Sequence, residues 1–223
     1  MRLLRLMTRV RCCAARQPAE TQPTPHAQYG RRLVFFLIVR WLRRTAAREE
    51  VARVLAVDCG LMFPEDGMYG VDLVLPDFSF LRAQAERLQG YVITHGHEDH
   101  LGALPFALRE APAPVYATPF TLSLLSEKLA ENDPGHKVEL VELTPRTPVT
   151  LGPFAVEPIR VAHTIPDAVA LALRTPAGLA VHTGDFKMSG PGLPAEGTDL
   201  ERLEALGDDG VLVAVSDSTG ALE

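Results

Sequence analysis

At 223 residues the chain is long enough to bury one sizeable core, and its 47% apolar and 22% charged content excludes a disordered or fibrous protein. Its net charge of -6 is unevenly spread: residues 1–48 hold eleven arginines and one acid, Glu20, whereas the rest of the chain holds 11 basic and 27 acidic side chains. The longest apolar run, LVFFLIV at 33–39, falls far short of the roughly 20 residues of a membrane-spanning helix, and three cysteines, Cys12, Cys13 and Cys59, exclude a disulfide framework and favour a reducing, cytoplasmic setting.

The first fifty residues show no convincing period. RQPAETQPTPHAQ reads as a loop because of its prolines and polar residues, and RRLVFFLIVRWLRRTAAREE reads either as a basic amphipathic helix or as a segment that belongs to no fold. From Val51 the texture changes. VARVLAVDCG predicts a buried strand ending in a turn, and VDLVLPD a second strand closed by Pro76 and Asp77. FSFLRAQAERLQG has helical spacing with a glycine stop, YVITH is a short strand, and DHLGALPFALREAP continues as a helix. The strand PVYAT and the helix PFTLSLLSEKLAEND follow, then the strands KVELVEL, PVTLGPFAVEPIRVAH, AVALALRTP and GLAVHTGD. The helix DLERLEALG precedes a last buried strand, GVLVAVSD. Strand–helix units followed by a run of strands predict an α/β architecture, a layered sheet with helices outside.

Several apolar strands end in a polar residue: Asp58 after LAV, His95 after VIT, His163 after RVA and Asp185 after VHTG. Sites in layered α/β proteins form where strand ends converge, so these four are candidates for one place in space. The densest signal is HGHEDH at 95–100, which puts three of the seven histidines into six positions. On an extended segment His95 and His97 point the same way, with Gly96 giving the turn room. Asp99 and His100 enter the following helix and reach a second point nearby. One metal on His95 and His97 and a neighbour on Asp99 and His100 uses every polar residue of the motif except Glu98. Imidazole with carboxylate suits zinc or manganese better than magnesium or calcium. His163 and Asp185 are placed to complete the shells from separate strands, with a carboxylate able to bridge two ions. His182, one strand step off the site, and His136, in the loop NDPGHK, read as non-ligands.

The arrangement resembles the metallo-β-lactamase superfamily, whose signature is His-x-His-x-Asp-His with a later His and a later Asp. DCGLMFPEDGMYGVDLVLPDFSFL, VITHGHEDHLGALPF, RVAHTIPDAVALAL, VHTGDFK and VSDST, in this order, are similar to the ribonuclease J family of β-CASP ribonucleases, over roughly residues 55–219. The resemblance implies a four-layer αβ/βα sandwich with two divalent metals, zinc first and manganese second. It implies hydrolysis of RNA phosphodiesters, internally and from the 5′ end, by a hydroxide that the paired cations activate. It also implies self-association of the full-length proteins and no membrane partner. Carried over residue by residue, His95, His97 and His163 hold one ion, Asp99 and His100 the other, and Asp185 bridges them, with Asp99 and Asp185 the catalytic acids and Asp58 supporting the site from behind.

Three departures shape the expectation. Nothing in residues 1–54 resembles the family's glycine-rich opening strand. Glu223 falls where the β-CASP insertion would begin, and the superfamily's last histidine ligand comes after that insertion. Gly220 stands where an asparagine is common. The expected organisation is therefore a basic non-family segment at 1–50, disordered or mistranslated, and a partial metallo-β-lactamase domain at 51–223, its sheet beginning at Val51 with an unpaired edge. The acidic body fits poorly with autonomous RNA binding, so low activity of the chain alone is expected. The rival readings are another hydrolase of the superfamily, thioesterase- or lactamase-like, and a non-catalytic metal-binding remnant.

Overall fold

The computed structural model describes residues 37–44, 49–132, 137–188 and 197–218, with side chains from residue 53 onward. Strands β1 (Leu37–Arg44), β2 (Glu49–Val57), β3 (Leu88–Val92), β4 (Val115–Ala117) and β5 (Leu140–Glu142) form one sheet in that order. β1 and β2 are antiparallel, and β2 to β5 run parallel. Helices α1 (Ser79–Ala83), α2 (Glu98–Leu101), α3 (Leu104–Glu110) and α4 (Pro119–Asn132) supply the crossovers that parallel strands need. The second sheet runs β10 (Val211–Val215), β9 (Gly178–His182), β8 (Val169–Thr175), β7 (Phe154–Arg160), β6 (Val149–Leu151), antiparallel except for the β9–β10 pair, with α5 (Leu200–Asp209) before its last strand.

The layering follows from side-chain parity. On β2, Val54 and Ala56 join Tyr91, Ile93, Leu104, Leu108 and Leu125 in a core beneath the helices. Leu55 and Val57 face the other way, meeting Val92, Leu143, Phe154, Val169, Leu171 and Leu173 between the sheets. β8 divides likewise: Ala170 and Ala172 turn outward to Ile159, Val181 and Leu206 of α5. β2 and β8 are covered on both faces, which is why VLAV and VALAL are continuous apolar runs rather than alternating ones. The order is helix, sheet, sheet, helix, the α/β sandwich expected. Among the described residues no helix is long and apolar enough to cross a membrane.

Four local expectations are corrected. The sheet does not begin at an unpaired Val51, and residues 37–44 are neither helix nor outside the fold. They pair with β2 from Leu37↔Val57 to Arg44↔Glu49, broken by a bulge at Trp41/Leu42, so the open edge passes to β1. The physical reason is the row of unpaired amides and carbonyls that β2 would otherwise present. Among the described residues VDLVLPD forms only an isolated bridge, Met62↔Val74. Val71, Leu73 and Leu75 are about 40% exposed there, with no neighbour sheet to bury them. Gly152, at φ +58, turns the single long strand expected at 148–163 into the β6–β7 hairpin. β10 is not buried: Leu212 is 55% exposed. His136, Gly220, Cys12 and Cys13 lie outside the described residues.

Candidate metal centre

The site is built from loops that leave the carboxyl ends of strands in both sheets. After β3, Ile93 and Thr94 lead to His95 and His97, and His97 occupies the cap position of α2, with extended backbone at φ −73, ψ 152. At Gly96 the packing is tight, since a Cβ there would come within 2.5 Å of the Leu124 side chain and force it to shift. α2 carries Asp99 and His100, the loop after β7 carries His163, and the turn after β9 carries Asp185.

Three imidazole nitrogens converge. His97 Nδ1 lies 3.1 Å from His95 Nε2 and 3.1 Å from His163 Nε2. One Nδ1 proton serves only one acceptor, so proton sharing alone does not account for the trio. A tetrahedral cation with ligands at about 2.0–2.1 Å separates its nitrogens by roughly 3.3 Å, which this spacing approaches. A second group, His95, His100 and Asp185, stands beside the first and shares His95. The Asp185 carboxylate spans the two, Oδ1 at 3.3 Å from His100 Nε2 and Oδ2 at 3.8 Å from His163 Nε2. Asp99 Oδ2 is 3.8 Å from His100 Nε2, and its carboxylate is 54% exposed, marking the open side of the site.

The buried network behind the imidazoles dictates their tautomers. Asp58 Oδ1 accepts from the Thr94 amide at 2.7 Å, and Oδ2 accepts from the Thr94 hydroxyl and from His100 Nδ1, both at 2.9 Å. The Thr94 hydroxyl has then used its proton on the carboxylate, so toward His95 Nδ1, 3.0 Å away, it is an acceptor. His95 therefore carries its hydrogen on Nδ1 and presents the Nε2 lone pair to the site, the form a metal ligand needs. His100, whose Nδ1 hydrogen is held by Asp58, would present its Nε2 lone pair once a cation displaces the Nε2 proton. His163 presents Nε2 as well, and its buried Nδ1 has no hydrogen-bond partner among the described residues. The donor set, four imidazoles with carboxylates, fits zinc or manganese.

Charge in the metal-free site is arranged to the same end. Burial pushes His95 down to about 3, helped by the neighbouring His100. Burial works against charge on His100 too, but Asp58 and Asp185 outweigh it and push it up to about 10. Asp185 is held at about 2: burial opposes its charge, and the bond to His100 overrides this. Asp58 is likewise held below the usual carboxylate range by His100 against the effect of burial. A proton on His100 stands where a cation would sit.

All six expected ligands thus meet in one place, with Asp99 at the rim rather than in the tight groups, and Asp58 lies behind them. Sequence reasoning missed two supports. Thr94 couples Asp58 to His95; the only signal was a hydroxyl ending an apolar strand. Gly60 lets the turn after β2 press on α2, since a Cβ there would lie 1.6 Å from the Asp99 carbonyl oxygen. His182 belongs to neither ligand group.

A family model described as Beta-lactamase superfamily domain matches residues 53–206. Ribonuclease J of Corynebacterium glutamicum is 42% identical over 170 residues, 76% of this chain and 23% of the relative. Ribonuclease J 1 of Streptococcus pyogenes is 40% identical over 181 residues, 80% of this chain and 32% of the relative. The chain thus spans about a quarter to a third of the length of these curated relatives. Among solved structures, zinc-bound PqqB from Methylobacterium extorquens shares the fold, with a TM-score of 0.51, 13% identity, and coverage of 74% of this chain and 56% of that one.

Proposed function

Because the chain belongs to the metallo-β-lactamase superfamily, we propose that it is the metal-centre portion of a metal-dependent hydrolase that cleaves RNA phosphodiester bonds, in the manner that its ribonuclease J relatives are named for. The observation that carries the reading is the pair of ligand groups sharing His95, with Asp185 spanning them.

His95, His97 and His163 would hold one ion and His100 and Asp99 the other, with Asp185 between them. Paired zinc or manganese ions bound there would acidify a water molecule and neutralise charge on the phosphate during in-line displacement. The chain's own residues do the rest. Asp58 and Thr94 hold hydrogen on the Nδ1 atoms of His95 and His100 and aim the Nε2 atoms inward. Burial of His95 and His100 excludes water from the rear of the site. The exposed Asp99 carboxylate borders the side from which a substrate enters. RNA as substrate and the cytoplasm as its place of action belong to this reading.

A small activated phosphodiester, bis(p-nitrophenyl) phosphate, separates chemistry from RNA positioning because it needs no groove. With manganese or zinc, the protein is expected to turn it over, and Asp185→Asn to abolish the turnover. A 5′-monophosphorylated oligoribonucleotide is expected to be cleaved by the same site, but only weakly by this chain alone, whose acidic body offers RNA little to bind. Preference for a thioester or a β-lactam over both phosphodiesters would overturn the reading.

A further inference from the structure

His182 ends β9 and is 6% exposed, yet it belongs to neither ligand group. Its ring is pinned at a defined atom: Nδ1 accepts a 3.0 Å hydrogen bond from the Gly184 amide. The proton of the neutral ring therefore sits on Nε2. The residue has little backbone slack, because it pairs with Leu171 on β8 and with Val215 on β10.

That hydrogen bond closes the short turn, Thr183–Gly184, that delivers Asp185. The Thr183 amide donates to Val215 O at 3.0 Å, and its hydroxyl donates to Gly184 O at 2.7 Å. Gly184 has φ +56, and a Cβ there would lie 3.0 Å from Val169 O and 3.1 Å from Thr94 Cβ. The turn is thus pressed against the same threonine that links Asp58 to His95. A buried amide ordinarily takes a backbone acceptor; here it takes an imidazole, which ties the turn to the end of β9 beneath the site.

The geometry points to His182 as the positioning residue for Asp185: its Nδ1 holds the Thr183–Gly184 turn so that the Asp185 carboxylate spans His100 and His163. This rests on the metal-centre reading above. Removing the acceptor frees the turn, and the carboxylate loses its fixed place between the two ligand groups while His95, His97 and His163 stay where they are.

Cobalt(II) titration of the full chain, followed by visible absorption, reads the effect with the metal alone. His182→Leu keeps bulk but has no acceptor, and is expected to weaken the ion position that uses Asp185 by about 10- to 100-fold, as loss of a ligand's orienting partner does. Uptake at His95, His97 and His163 is expected to persist. His182→Asn, whose side-chain oxygen offers an acceptor to the Gly184 amide, is expected to recover most of the lost affinity. Measured without metal, hydrogen exchange at the Gly184 amide should accelerate in His182→Leu and not in His182→Asn. Wild-type cobalt affinity and wild-type Gly184 exchange in His182→Leu would overturn the assignment. Where the leucine variant does not fold, a folded His182→Asn that has lost both properties overturns it equally. A wild-type chain that takes up no cobalt sinks the metal-centre reading instead, and Gly184 exchange then decides alone whether His182 holds the turn.

Discussion

Replacing Asp58 by asparagine tests the tautomer argument with almost no change of shape. Asp58 has φ +57, a region that aspartate and asparagine both tolerate, so the backbone cost is small. The asparagine oxygen can still accept the Thr94 amide, 2.7 Å away in the wild type. The amide nitrogen, however, now brings protons to where Oδ2 accepted from the Thr94 hydroxyl and His100 Nδ1. To avoid two donors facing each other, His100 must give up its Nδ1 hydrogen and keep the one on Nε2, and the Thr94 hydroxyl must turn toward His95 and move that ring's hydrogen to Nε2 as well. Both imidazoles then present N–H to the site instead of a lone pair. Ion affinity should fall by about 10- to 100-fold. If the network does not reverse, buried donors stay unpaired at about 1–3 kcal/mol each, lowering the melting temperature by roughly 2–4 °C per kcal/mol. Zinc titration against a competing chelator, with thermal unfolding of the metal-free protein, measures both quantities. Asp58→Asn with wild-type affinity and wild-type melting would refute the reasoning.

Metal-free stability should peak near pH 6.5. His100, raised from 6.5 to about 10, contributes stability that is complete below about 6.5 and is lost as the pH climbs toward 10. His95, lowered from 6.5 to about 3, stays neutral in the fold while the unfolded chain gains a proton, so stability also falls as the pH drops from 6.5 toward 3. Asp185, lowered to about 2, adds to the acid-side loss below its ordinary 3.8. Each group contributes at most about 1.4 kcal/mol per pH unit, and denaturant unfolding with chelator at pH 5, 6.5 and 9 reads the sum; a steady rise through pH 9 contradicts it. Gly60→Ala should destabilise the fold by at least about 3 kcal/mol or abolish it, because its Cβ would sit 1.6 Å from backbone that cannot yield; a wild-type melting temperature would be the contrary result. Deleting residues 1–48 removes the partner of β2 and should lower the melting temperature by several degrees, whereas deleting 1–36 keeps β1 and should cost much less; equal effects of the two deletions would count against the pairing.

The candidate metal ligands were legible because the chemistry proposed for them concentrates residue types. Three histidines and an aspartate within six positions have no ordinary packing role, and Asp58, His163 and Asp185 each ended an apolar strand that had to deliver them somewhere. The layers were legible from runs such as VALAL, apolar at both parities because both faces of β8 are covered. What acts through space was not. Thr94 works by a hydroxyl between two partners, one of them 36 residues away. Gly60 matters because of a backbone brought close only by the fold. β1 pairs through main-chain groups, which arginine-rich text does not announce. VDLVLPD has a strand's pattern but, among the described residues, pairs through one bridge only.

The metal content of the purified protein tests the central claim most directly. After exposure to zinc and removal of loosely held ions, elemental analysis is predicted to find two ions per chain in the wild type. His97→Ala should lose the ion held with His95 and His163, and Asp185→Asn should lose chiefly the ion held with His100, because its carboxylate belongs to that group. A wild-type chain that retains no zinc, or equal occupancy in all three proteins, would contradict the account.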